Sequence, residues 1–174
     1  MSEDFDFVTI PVAYARWGGF FDPTSGVSRQ YAELVREQHD GTLVREEWHR
    51  LNVHRSPEGS PSGLSVRYQT TLLPGLRYIS IIHAVDNAGN WAQVSSDGLR
   101  FDPDPPVAGA VRPRQLFQAS LSTLVAQWSG FIDLQSDIKH YLLGWGTTPG
   151  ASNVVPFRQV EAHGSAEHLF EIAV

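Results

Sequence analysis

The chain has 174 residues, a formal net charge of −6 and no cysteine. Without cysteine there are no disulfides, thiolate metal sites or cysteine nucleophiles, and without clustered lysines or arginines there is no basic footprint for phosphate backbones, so nucleic acid is excluded as a partner. A hydrophobic fraction of 41% with 11% aromatic residues describes a globular chain, long enough for one large or two small domains.

The run from Met1 to Phe7 is acidic and lacks a basic n-region and a long apolar stretch, so it does not read as a signal peptide. No later segment approaches the roughly 20 apolar residues of a membrane span. Ala13, Ala15 and Trp17 alternate with Val12, Tyr14 and Arg16, which predicts a strand from Phe5 to Trp17 with the tryptophan-bearing face in the core. After an Asp22–Gly26 turn, Tyr31 to Arg36 is predicted as the next strand. Leu43 to Val53 reads as a further strand or strand pair, followed by a Ser/Pro/Gly loop from Ser56 to Gly63, and Leu64 to Thr71 leads into a corner. No segment has a convincing helical period.

The corner is the most informative stretch. Pro74-Gly75 supplies a tight turn, because proline pre-sets φ and glycine accepts the positive φ that follows. In the strand after it, Tyr78, Ser80, Ile82 and Ala84 share one face, and Ile79, Ile81 and His83 the other. Asp86 to Asn90 closes this strand as a turn, and Ser95 to Phe101 reads as the last strand before Asp102-Pro-Asp104-Pro105-Pro106, a linker whose prolines hold the backbone extended.

Self-comparison reveals a repeat. Trp17, Gly19, Phe20, Asp22 and Ser25 recur as Trp128, Gly130, Phe131, Asp133 and Ser136, and the two tryptophans stand 111 positions apart (128 − 17). Around Trp128, Leu124 and Ala126 alternate with Thr123, Val125 and Gln127 as the residues around Trp17 do. The second copy has room for strands at Val107 to Val111, Leu121 to Trp128, Tyr141 to Trp145, Val154 to Val160 and His168 to Val174.

Leu72, Pro74, Gly75 and Tyr78, followed by Ala84 and Gly89, resemble the Leu-x-Pro-Gly-x-x-Tyr…Ala…Gly pattern of fibronectin type III domains. The resemblance implies an all-β chain of two tandem Greek-key β-sandwiches, residues 1–103 and 104–174, with Tyr78 as the tyrosine of the corner between the sheets. It makes Trp17, Pro74, Gly75, Tyr78, Trp128, Pro105 and Pro106 the structural residues. The lack of cysteine disfavours a standard immunoglobulin domain with its inter-sheet bridge. Counted against a whole module, the first copy is expected to lack most of its first strand and the second its last strands, roughly one and two-thirds modules in all. Two readings follow: a piece of a longer tandem array, or a second module that borrows strands from a neighbouring chain.

Chemistry-bearing residues are few. His49 and His54, five positions apart on an extended segment, face opposite ways, and His83 stands alone on its strand, so no histidine metal site is expected. Asp86, Asp102 and Asp104 are calcium candidates near one end of the first module, although turn capping explains each without an ion. Glu46 and Glu47 are adjacent on a strand and make a poor acid/base pair. The chain carries no Gly-x-Ser-x-Gly, phosphate-cradling glycine loop or His-Glu-x-x-His, so neither catalysis nor a cofactor is expected. Trp48, Trp91 and Trp145 lie outside the core pattern and are candidates for contact with a protein partner or a sugar ring. The expected role is structural, adhesive or protein-binding, within a larger extracellular or cell-surface protein and beside neighbouring modules of the same chain. The alternatives are a carbohydrate-binding accessory module and a strand-exchanged homo-oligomer.

Overall fold

Strand periodicity runs through the whole chain, and the computed structural model, which describes residues 6–51, 64–112, 122–162 and 167–173, is all-β. Two units separate, Met1–Asp104 and Pro105–Val174. The first contains β1 (Asp6–Val8), β2 (Tyr14–Trp17), β3 (Val27–Glu37), β4 (Leu43–Leu51), β5 (Leu64–Arg67), β6 (Arg77–Asp86), β7 (Trp91–Ser95) and β8 (Leu99–Phe101). One sheet runs β1-β8-β6-β3-β4, with β7 sharing an edge of β6 with β8, and β2 and β5 form the other sheet. All pairs are antiparallel except β1 with β8. The core lies between these layers, with Ala13, Trp17, Tyr68 and Leu72 against Ala32, Leu34, Tyr78, Ile82 and Phe101, an arrangement consistent with a β-sandwich.

The segment before Trp17 departs from the sequence expectation of one strand. It makes two, because Pro11 centres a tight turn in which the Val12 N–H donates to the Ile10 carbonyl at 2.8 Å, and proline's fixed φ suits an inverse γ-turn. β1 thereby joins the larger sheet beside β8, while β2 pairs with β5. Of a first strand, the first unit shows the three residues Asp6–Val8. Leu43–Leu51 forms a single strand rather than a pair, and Val53, His54 and the loop to Gly63 lie outside the described residues.

Hydrogen bonds tie aromatic side chains of this core to neighbouring groups. Trp17 Nε1 donates to Gln30 Oε1 at 2.7 Å. Ser80, at a position the alternation assigns to the core, is buried, and the Tyr68 hydroxyl donates to the Glu33 carbonyl at 3.3 Å.

The second unit contains β9 (Ala110–Arg112), β10 (Thr123–Ser129), β11 (His140–Trp145), β12 (Val155–Glu161) and β13 (Glu167–Ala173), paired as β13-β10-β9 and β11-β12. Val107 contributes only an isolated bridge to Ile132, so the strand predicted from Val107 is shorter than expected; Leu121 and Val174 lie outside the described residues. The repeat extends to backbone conformation. Gly19 and Gly130 both have positive φ, 83° and 76°, and Gly26 at 75° is matched by Asp137 at 62°. Asp22 Oδ1 accepts the N–H groups of Thr24 and Ser25, and Asp133 Oδ1 accepts those of Gln135 and Ser136. The partner of the core tryptophan differs: Trp17 bonds Gln30, whereas Trp128 meets Tyr141, the same repeat position, edge to face at 5.4 Å.

The corner between the layers of the first unit is held by Tyr78. Pro74 and Gly75 (φ 75°) form a turn closed by the Leu76 N–H on the Leu73 carbonyl at 3.4 Å, as a type II turn requires. The Leu73 N–H then donates to the Tyr78 hydroxyl at 2.7 Å, and the Gly75 N–H to the Phe101 carbonyl at 2.8 Å. Tyr78→Phe removes the acceptor of Leu73 and is expected to cost about 1–3 kcal/mol, read as a lower urea midpoint at unchanged slope. Burial raises the Tyr78 pKa, opposed by the Leu73 N–H bond, so the folded state favours the neutral phenol. Its contribution is complete below the ordinary tyrosine value of about 10 and is lost as pH rises through the higher folded value. Alkaline melts above about pH 10 are expected to fall more steeply for the wild type than for Tyr78→Phe.

Candidate functional site

The outer face of the β7-β6-β3-β4 sheet is assembled by cross-strand register. Tyr31 on β3 stands opposite His83 on β6, Glu33 opposite both Ile81 and Trp48, Val35 opposite Ile79, and Val85 opposite Trp91 on β7. Directly opposed residues in a sheet point to one side. Tyr78, Ser80, Ile82 and Ala84 occupy the buried side of β6, so this set faces out.

Four aromatic rings on this face form a row across the four strands. Trp48 lies 4.9 Å from Tyr31 and 5.6 Å from His83, and His83 lies 6.5 Å from Trp91, measured between ring centroids. Trp48 is 44% exposed and Trp91 67%. The Arg45 guanidinium lies 5.0 Å above the Trp48 ring, a cation–π contact.

Glu33 lies under this row. It is buried although it belongs to the outer face, and both carboxylate oxygens are engaged, Oε1 by Arg45 Nε and Oε2 by His83 Nε2 at 3.2 Å. Arg45 and His83 are thereby both held next to Trp48. Val35 beside it is also buried, so the centre of the face is covered by its own side chains while the rings at its margins stay open. The arrangement offers ring faces for stacking and guanidinium and imidazole nitrogens for hydrogen bonds, which suits recognition of a partner surface or a sugar.

The tryptophan candidates divide. Trp48 and Trp91 come together through His83; Trp145 belongs to the other unit and is half-buried at the irregular end of β11, where its carbonyl accepts the Val154 N–H at 3.0 Å. His83, the lone histidine of its strand, contacts Trp48, Trp91 and Glu33, because cross-strand register brings them to it. His49 bonds Glu47 at 2.7 Å and its ring lies 5.7 Å from Tyr68; His54 is outside the described residues. Glu46 is the extra residue of a bulge, since Leu34 pairs with Glu47 and Val35 with Arg45, and it holds Arg36 at 2.6 Å.

Two of the calcium candidates, Asp86 and Asp102, act as caps. Asp86 Oδ1 accepts the N–H groups of Ala88 and Asn90, and Oδ2 the Asn90 side-chain amide, each at 2.8 Å. The Asn90 side chain, with the Asn90 and Ala88 N–H groups, holds Asp86 below the usual carboxylate range. Asp102 is buried and accepts the Asp104 N–H at 3.2 Å. Among the described residues no group of three His, Cys, Asp or Glu side chains is placed to hold a metal ion, and no helix is long and apolar enough to cross a membrane. Pro105 and Pro106 are exposed in the extended segment that opens the second unit.

Tyr31, Glu33 and Arg45 are members of this face that the sequence reading did not single out. The signal available was Tyr31, Glu33 and Val35 alternating on one strand while Ile79 and Ile81 mark an apolar outer face on another. No protein-family model matches the chain, and no curated protein matches its sequence.

Arg45→Ala leaves the Glu33 carboxylate, whose side chain is 9% exposed, with His83 alone. The expected cost is about 1–3 kcal/mol, measured by urea unfolding, together with a red shift in tryptophan emission as Trp48 loses its cover. A loss below about 0.5 kcal/mol would reduce the contact to an ordinary surface ion pair.

Proposed function

We propose that the chain is a non-catalytic binding module of two fibronectin type III-like Greek-key sandwiches in tandem, acting within a longer extracellular or cell-surface protein. The outer face of β7-β6-β3-β4 serves a protein partner. The observation that carries this reading is the row of Tyr31, Trp48, His83 and Trp91 with Arg45 set over Trp48, because exposed tryptophan, tyrosine and arginine are the residue types on which protein interfaces concentrate their binding energy. The fixed Glu33 contacts support it, since a surface ordered before binding loses less entropy on association. The tyrosine corner, the Pro-Pro segment and the repeated tryptophan loop support the tandem-module reading.

A carbohydrate ligand is the second reading, favoured by the exposed ring of Trp48 on the face of a sheet beside polar groups able to bond hydroxyls.

The test is a Trp48→Ala/Trp91→Ala double variant, compared with wild type against immobilised extracellular-matrix proteins and in affinity gels containing soluble polysaccharides. The protein reading expects matrix binding that falls at least about tenfold in the variant, from the roughly 1–3 kcal/mol carried by an interface aromatic, with no retardation in polysaccharide. Retardation of the wild type alone by a polysaccharide selects the second reading. Binding that survives the double substitution removes this face as the site.

A further inference from the structure

Among the described residues the smaller sheet of the first unit ends on an unpartnered edge, and the internal repeat identifies what fits it. β2 pairs with β5 and, among the described residues, with no other strand. Its equivalent β10 pairs on both sides, with β13 and with β9, where Arg112, Val111 and Ala110 oppose Gln127, Trp128 and Ser129. Shifted by the repeat, those three β10 positions are Arg16, Trp17 and Gly18.

The free edge carries hydrogen-bonding groups in the phase that a further strand needs. The Tyr68 N–H donates to the Ala13 carbonyl at 3.0 Å, so in an antiparallel ladder the backbone groups of Ala13, Ala15 and Trp17 turn toward β5, and those of Tyr14, Arg16 and Gly18 turn away. A groove of about 400 Å³ runs along this edge, lined by Arg16, Trp17, Ile82, Val94, Ser96 and Asp97 among others. Val94 opposes Ile82 and therefore points to the inner side of its sheet, yet it is 50% exposed. An added strand would cover it. On the outward side of the β2-β5 sheet, Arg16 is exposed, and Arg67 lies 5.9 Å over the Tyr14 ring, so this side presents cationic charge.

We infer that the β2 edge is a strand-addition site for an extended segment of another polypeptide. The segment runs antiparallel to β2, with a β-branched apolar residue opposite Trp17 and an acidic residue opposite Arg16. Backbone bonds to Tyr14, Arg16 and Gly18 supply affinity, and the groove and Arg16 supply selection. The inference is independent of the aromatic face.

The probe is the acetylated peptide Pro-Pro-Val-Ala-Gly-Ala-Val-Glu, which keeps the β9 pattern but ends in glutamate where β9 has arginine. It is titrated by fluorescence anisotropy into the full chain, and backbone amides are followed by hydrogen exchange. Saturable binding with slowed exchange at Tyr14, Arg16 and Gly18 is expected. Arg16→Glu should weaken binding by about three- to fivefold, the scale of one cross-strand charge pair, and an arginine-ended peptide should restore it. Val94→Asp, at an exposed position, should also weaken binding, and Trp48→Ala should not. No saturation at millimolar peptide, or binding without protection on β2, overturns the proposal. Concentration-dependent dimerisation that protects the same amides without peptide overturns the assigned occupant, and names a second copy instead.

Discussion

After Tyr68 the first unit must leave the β2-β5 layer, and by Arg77 it must enter the other sheet. The crossing exposes backbone groups that neither ladder can satisfy. One phenol resolves much of this: the Tyr78 hydroxyl accepts the Leu73 N–H, while its ring is buried in the core that both sheets share. The corner is therefore fixed from the inside, by a residue belonging to the strand it feeds. Gly75 ties the same corner to the end of β8 through Phe101, whose ring is also buried. Because β6 then occupies the middle of its sheet, with β3 on one side and β7 and β8 on the other, the placement of most other strands in the unit follows from this corner.

The polar groups enclosed by this architecture fall into two kinds. Gln30 faces the inner side, where it accepts the Trp17 indole N–H, and the Tyr68 hydroxyl donates to the Glu33 carbonyl. Such pairs settle register, because a one-residue slip would bury unpaired donors. Glu33 faces outward and is buried, with its carboxylate bonded to Arg45 and His83 beside Trp48. Its carboxylate holds a cation and an imidazole beside an exposed indole, an expensive arrangement for a bare sheet face and a useful one for a binding surface.

The two copies show how one local design gives different surroundings. The tryptophan loop repeats down to its aspartate cap and its positive-φ residues. The strand that flanks β10 has no counterpart on β2 among the described residues, because Pro11 turns the chain so that β1 pairs with β8 instead.

Much of the local structure was legible from residues alone. Alternation assigned the inward positions of β2, β6 and β10, and glycine and proline marked the corner, where φ preferences act within a few residues of the chain. The repeat was legible because loop chemistry is local too. Three features were not: the split of the segment before Trp17, the bulge that sets Glu46 apart, and the ring row with Glu33 beneath it. Each depends on which strand lies beside which, and residues 31, 48, 83 and 91 become neighbours only through pairing across four strands. By itself the sequence determined an all-β chain with a tyrosine corner and a repeated tryptophan loop. The tertiary structure decided which outward residues form one face and which edge stays open, because register and pairing are long-range choices that period-two patterns leave undetermined.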